Sequence, residues 1–189
     1  MIFSAQLPVQ LEVPITNPNL LKDLVFGQEL FLKGSLIAAR DQAHKRLNEI
    51  IAAGKPLPFS PQGQVIYYMG PSPAPQGRVI GAAGPTTAGR MDGLTIPLLE
   101  LGVKGLLGKG KRSPEIQEAL QRFGAVYFAA VGGAGAFYGD KIKKVEILAW
   151  PELGPEALLH LEVEEFPVMV VYDLKGGDLY RNGPIRWRS

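Results

Sequence analysis

Arg40, Thr86, Arg90 and Lys109 are the side chains of this sequence whose types and placement could do chemistry together. Each follows an apolar run that reads as a strand: residues 36–39 before Arg40, 79–83 before Thr86 and Arg90, and 103–107 before Lys109. In α/β sheets, ligands bind beyond the carboxyl ends of strands. Two arginines, a lysine and a hydroxyl converging there would suit a small dianion, since a guanidinium grips a carboxylate with two parallel hydrogen bonds. The alternative is three solvated surface cations that never meet.

The stretch Gly84-Pro85-Thr86-Thr87-Ala88-Gly89-Arg90-Met91-Asp92 concentrates this chemistry. Its glycines let the backbone turn tightly and come close to a ligand. Thr86 and Thr87 offer adjacent hydroxyls that can donate to an anion or accept from it. A strand, a Gly/Thr turn and a helix start can also hold an anion on exposed N–H groups. The plainer reading is a Ser/Thr helix cap followed by a surface arginine. Asp41 is a helix cap or first-turn acid. His44, one helical turn after Arg40, could orient a ligand or carry a proton, or be a satisfied, partly buried side chain. His160 reads as a surface residue. The glycines of residues 132–135 lack the spacing and the Lys-Ser/Thr of a phosphate loop, and close helix–strand packing accounts for them. The basic run 109–112 is a weak nucleic-acid footprint on a near-neutral chain.

The elements that must position these residues follow from periodicity. Residues 9–13 alternate and read as a strand, placed at an edge by flanking prolines. Residues 20–25 form a helical turn. Residues 27–39 are a strand pair or one long bent strand, with a bulge at Gly34. Ala43, Leu47, Ile50 and Ile51 share one helical face, and Gly54, Pro56 and Pro58 end that helix. Residues 65–69 are a strand, and the proline-rich loop 70–77 leads to a further strand at 79–83. Pro97 is tolerated only near a first turn, so the next helix should begin a few residues after Arg90. Residues 103–107 are a strand. Ser113, Pro114 and Glu115 open a helix closed by Gly124. A central strand covers 125–131, a short helix runs to about Lys141, and 145–149 is a strand. Residues 155–159 read as a helical turn, 161–163 as a pairing segment and 168–172 as a strand. The alternation from 79 to 150 indicates a parallel α/β core with an antiparallel or mixed layer beside it. The whole, residues 1–189, reads as one domain, with an N-terminal strand segment at 1–26 and a basic tail at 181–189.

Composition narrows the classes. The 189 residues carry 20 Lys+Arg against 18 Asp+Glu, too balanced for a dedicated nucleic-acid binder. The hydrophobic content of 46% supplies a core. There are no cysteines and only two histidines, which excludes disulfides and a thiolate-held cluster within the chain and leaves no convincing metal site. No signal peptide is visible, and the longest uncharged stretch falls short of the ~20 residues of a membrane span. A soluble cytoplasmic protein is expected.

The motifs also carry a family resemblance. ARDQAHKR (39–46), VIYYMGP (65–71), AAGPTTAGRMD (82–92), GVKGLLGKG (102–110), AVYFAAVGGAGA (125–136), ELGPEA (152–157), LEVEEFPV (161–168) and KGGDLY (175–180) stand in order and spacing. Together they resemble the C-terminal, or beta, part of class I fumarate hydratases and the related L-tartrate dehydratases. The resemblance implies a swivelling β/β/α domain with a mixed sheet and flanking helices. It implies reversible addition of water to the double bond of a dicarboxylic acid. It implies a [4Fe–4S] cluster held by three cysteines of an alpha part that is not in this chain, with the open iron acting as a Lewis acid. By the same resemblance Arg40, Thr86, Arg90 and Lys109 contact substrate, and Thr86 is the base for the C3 proton. A threonine hydroxyl is a poor base at neutral pH, so that role needs an activating neighbour. The expected protein is the beta subunit of a two-subunit fumarate hydratase, inactive alone and assembled with a cysteine-bearing alpha subunit into a hetero-oligomer. The alternatives are the beta subunit of L(+)-tartrate dehydratase and a non-catalytic anion-binding module.

Overall fold

The computed structural model describes residues 9–187, with side chains to residue 185. The first eight residues of the N-terminal segment and the last two of the basic tail lie outside the described residues. Among the described residues, seven strands form one mixed sheet: β1 (Val9–Val13), β2 (Glu29–Ala38), β3 (Val65–Tyr67), β4 (Gly105–Gly108), β5 (Val126–Ala129), β6 (Ile142–Ala149) and β7 (Leu158–Tyr172), in the order β1-β2-β3-β4-β5-β7-β6. β1 to β5 run parallel to one another. β7 runs antiparallel to β5 and β6, and also to β2, so β2-β3-β4-β5-β7 closes into a circuit. With flanking helices this is the expected α/β architecture, consistent with a swivelling β/β/α domain.

Two cores follow from strand alternation. Val65, Tyr67 and Met69 face the core shared by all strands of the circuit, while Ile66 and Tyr68 face the second core. Helices α1 (Asp41–Ala52), α2 (Asp92–Glu100) and α3 (Pro114–Phe123) cover that second core with Ala43, Leu47, Leu98, Ile116 and Leu120. Ser113 caps α3 by accepting from the Ile116 N–H, and Gly124 ends it in the left-handed region at φ 62°. Gly34 lies at the bulge of β2 against β7, and its lack of a side chain lets β1 lie against β2. Its φ is +116°, and a Cβ there would stand 2.0 Å from the Val13 carbonyl oxygen.

Four expectations are corrected. Residues 79–83 are not a strand: they run as an extended loop whose polar groups pair with Ser72 and the Gly135 carbonyl instead of a ladder. The segments at 161–163 and 168–172 belong to the single fifteen-residue β7, and the turn expected at 155–159 is a 3-10 turn, Pro151–Glu156, ending before it. The parallel set comprises β1 to β5, so it begins well before residue 79, and β6 is antiparallel. Pro97 sits well inside α2, which opens two residues after Arg90 from the 3-10 turn Ala88–Met91. Among the described residues, no helix is long and apolar enough to cross a membrane.

Candidate functional site

Because β2 to β5 are parallel, their carboxyl ends share one edge, and the four candidate residues come from segments that meet there. β2 ends at Ala38 and Arg40 then serves as the N-cap residue of α1, with Asp41 the first residue of the helix. Asp41 Oδ2 lies 3.4 Å from Arg40 Nε and 3.3 Å from Arg90 Nη2. Two guanidinium groups from separate loops therefore converge on one carboxylate oxygen. Glu156 occupies the other side of Arg40, 3.5 Å from Nη2, and also accepts from the Gln42 N–H at 2.8 Å. Arg40 lies against Gly70, where a Cβ would come within 2.9 Å of its side chain. The Arg40 side chain is 23% exposed and that of Arg90 50% exposed.

Thr86 and Lys109 are joined through the backbone. The Lys109 N–H donates to the Thr86 carbonyl at 3.2 Å and the Ala88 N–H to the Lys109 carbonyl at 2.9 Å. The motif thus extends the edge of β4 beyond its end. The Thr86 hydroxyl donates to the Tyr68 carbonyl at 2.9 Å, and the Thr86 N–H donates to the same oxygen at 2.8 Å. Thr87 precedes the 3-10 turn without a side-chain capping bond, so neither threonine acts as an ordinary helix cap. Thr87 and Lys109 are exposed, and the Lys109 side chain extends over Gly132, where a Cβ would lie 3.5 Å from Nζ. The glycines around residue 135 do serve packing: a Cβ on Gly84 would lie 3.3 Å from Gly135 Cα. A groove between Phe31, Val131, Phe137 and Met169 and two others are lined by residues other than Arg40, Thr86, Arg90 and Lys109.

His44 is brought close to this edge but does not reach it. It is fully buried, its Nδ1 lies 3.1 Å from the Arg40 carbonyl oxygen, and its ring packs 5.3 Å from that of Tyr68. A carbonyl can only accept, so Nδ1 carries the proton and Nε2 is buried without a hydrogen-bond partner. Burial pushes its pKa down to about 4, against the opposing Arg40 hydrogen bond. His44 is a neutral core residue.

The sequence reading missed Arg112 and the groups around it. Arg112 is a member of the basic run, yet its side chain is 0% exposed. Its Nε donates to Asp92 Oδ1 at 2.5 Å, Nη1 to the Tyr68 hydroxyl at 3.3 Å and Nη2 to Thr95 Oγ1 at 3.2 Å. The guanidinium packs over the rings of Tyr68 and Tyr127, 5.0 and 5.3 Å from their centroids. The only sequence signal was an acid, Asp92, closing the central motif. Nothing local paired it with an arginine twenty positions on.

The donor set of this chain does not fit an iron–sulfur cluster: it has no cysteine, and the described residues include no group of His, Asp and Glu able to hold a metal ion.

Comparison with known proteins gives the chain a family. The family described as Fumarase C-terminus matches residues 4–183. Over 156 residues the chain is 43% identical to Fumarate hydratase 2 of Leishmania major, covering 82% of this chain and 28% of that protein. It is 43% identical over 155 residues to the anaerobic class I fumarate hydratase of Escherichia coli (strain K12), covering 80% of this chain and 28% of that one. A putative L(+)-tartrate dehydratase subunit beta of Methanocaldococcus jannaschii is 33% identical over 165 residues, covering 84% of this chain and 85% of the other. The chain thus spans little more than a quarter of the fumarate hydratases and most of the subunit. It belongs to the family of fumarase C-terminal domains, whose relatives include class I fumarate hydratases and a tartrate dehydratase beta subunit.

Proposed function

We propose that this chain is the beta subunit of a two-subunit class I fumarate hydratase, contributing the cationic half of a site completed by an alpha subunit. One observation carries the reading: Arg40 and Arg90, from different loops, aim at the same carboxylate oxygen of Asp41. A substrate carboxylate entering this edge would find two converging guanidinium groups, with Asp41 holding them until it arrives. In this reading Arg40 and Arg90 bind one carboxylate of the dicarboxylate. Lys109 stabilises the negative charge that develops as the C3 proton leaves, because a fixed cation costs no reorganisation at that moment. Thr86 is the base for that proton once activated: its hydroxyl donates to the Tyr68 carbonyl, which orients the oxygen but cannot take up its proton, so the proton acceptor that activates it would come from the alpha subunit. Asp41 and Thr87 border the site, whereas His44 supports its floor.

A [4Fe–4S] cluster would sit on the cysteine-bearing alpha subunit, since this chain offers no ligands for it, and would supply Lewis-acid chemistry there. The whole assembly is a cytoplasmic hetero-oligomer. The test is anaerobic co-purification of this chain with the product of a cysteine-bearing partner gene, followed by assays on fumarate, L-malate and L(+)-tartrate. Efficient fumarate–malate interconversion supports the reading. Turnover of tartrate alone would assign the chain to the dehydratase. Stable assembly with no turnover of any of the three would leave an anion-binding module.

A further inference from the structure

We infer that Arg112 is a positioning residue that sets the place of Lys109, acting through a clamp of tyrosines on loop 108–113. The inference rests on the proposed function only for the kinetic part of its test.

Arg112 is 4% exposed and always charged, so its burial must be offset by hydrogen bonds and a counter-ion. All three guanidinium nitrogens are engaged, and Asp92 supplies the charge. Asp92 closes the central motif, and its second oxygen accepts from the Ser113 N–H at 2.6 Å. One carboxylate therefore ties the start of α2 to the Arg112 side chain and to the Ser113 backbone. Thr95 gives its own proton to the Met91 carbonyl at 2.7 Å and so can accept from both Arg112 and Tyr68.

The backbone on the far side of Lys109 is held as closely. The Gly110 N–H donates to the Tyr180 hydroxyl at 3.0 Å, and the Gly110 carbonyl accepts from Tyr127 at 2.9 Å. The Arg112 N–H donates to Tyr172 at 3.2 Å, and its carbonyl accepts from Gln117 at 3.2 Å. Gly110 itself is in the left-handed region at φ 85°. A loop of this kind has no ladder of its own, so its conformation is set by these side chains. Two further contacts link the loop to the rest of the edge. The Tyr68 ring lies beneath Arg112 while its carbonyl takes both donors of Thr86, and the Lys109 N–H returns to the Thr86 carbonyl. A buried, fully engaged cation three residues from an exposed lysine can serve as a fixed anchor for that lysine's loop, because an effector side chain placed by a loose loop loses most of its effect.

The test uses Arg112→Lys, which keeps the charge but not the three-way fork, and Tyr180→Phe, which removes one hydroxyl from a half-buried ring. In the isolated chain, amide hydrogen exchange at residues 86–88 and 109–112 should quicken by about tenfold or more in Arg112→Lys and by a smaller factor in Tyr180→Phe, with β2 and β7 unchanged. In the co-purified complex, Arg112→Lys should lower kcat/KM by about 10–100-fold, yet by less than about threefold when Lys109 is already Met. A general loss of stability would give equal effects on both backgrounds. Unchanged exchange in both variants, or the full kinetic loss persisting on Lys109→Met, would overturn the inference. Should the wild-type complex hydrate no dicarboxylate, the reaction assignment fails and the exchange result alone decides the positioning.

Discussion

Replacing Arg90 by Met separates what this residue does for the fold from what it does for a ligand. Its side chain is half exposed, and among the described residues its ionic contact is the 3.3 Å approach of Nη2 to Asp41 Oδ2. Exposed pairs of this kind contribute roughly 0–1 kcal/mol, and Asp41 keeps Arg40 as a second partner at 3.4 Å. Methionine retains most of the apolar stem. The expected loss of stability is therefore below about 1 kcal/mol, a fall in Tm of no more than about 2–4 °C for a chain of this size. Arg112 provides the contrast: removing its guanidinium would leave Asp92 without its buried partner, at a cost of about 3–5 kcal/mol. If Arg90 grips a substrate carboxylate, losing two charge-assisted bonds should lower kcat/KM by about 10²–10⁴-fold. Arg90→Lys should recover only part of this, because an ammonium cannot form the planar fork. The assay is steady-state kinetics of the reconstituted complex, with a thermal melt of each variant beside it. Near-normal turnover in Arg90→Met, or a melt lowered as far as that of Arg112→Met, would refute the placement of Arg90 in the site.

Other outcomes follow from the same geometry. Lys109→Met should lose activity sharply, whereas Lys111→Met, also exposed and two residues on, should be near neutral in the same assay. His44 has a pKa pushed down to about 4, below the ordinary value of 6.5, so the unfolded chain binds the extra proton in that window. Its contribution is complete above about pH 6.5 and is lost as pH falls toward 4, a change of roughly 3 kcal/mol. Urea unfolding from pH 4.5 to 7.5 should show this slope in the wild type and lose it in His44→Gln. Gly34→Ala should destabilise by more than about 2 kcal/mol, since the new Cβ would stand 2.0 Å from the Val13 carbonyl oxygen and the φ of +116° is strained for alanine. A urea melt showing a change under about 0.5 kcal/mol would contradict the bulge geometry.

What the sequence made legible was the part written locally. β2 and α1 could be read because an apolar run gives way to a 3.6-residue period at Arg40-Asp41, and that junction alone places Arg40 at a strand end. Ser113-Pro114 and Gly124 bracketed α3 by their capping chemistry. Residues 79–83 misled because burial, not pairing, explains their apolar character: Ile80 and Ala83 are buried although the segment has no strand partner. β7 looked broken because Glu164, Glu165 and Pro167 interrupt its pattern. The strand continues because Glu165, at φ 46°, lies where the register against β2 shifts, and Pro167 still pairs opposite Phe31. Among the candidate residues, Arg40 and Lys109 do follow strands, β2 and β4, whereas Thr86 and Arg90 follow the loop at 79–83 and reach the same edge through the pairing of Thr86 with Lys109 and of Arg90 with Asp41. The tie between Arg40 and Arg90 runs through Asp41, and that between Asp92 and Arg112 spans two loops. Neither tertiary link leaves a sequence period, so a buried arginine and an exposed lysine three residues apart read as one basic cluster.

The central claim is that this chain supplies half of a hydratase site and a cysteine-bearing partner supplies the rest. The most direct measurement is malate formation from fumarate under anaerobic conditions by three samples at equal protein: this chain alone, the partner alone, and the two combined. The account predicts activity in the mixture and none in either component. Measurable malate from the pure, partner-free chain, or a stable complex that remains inactive with its cluster intact, would contradict it.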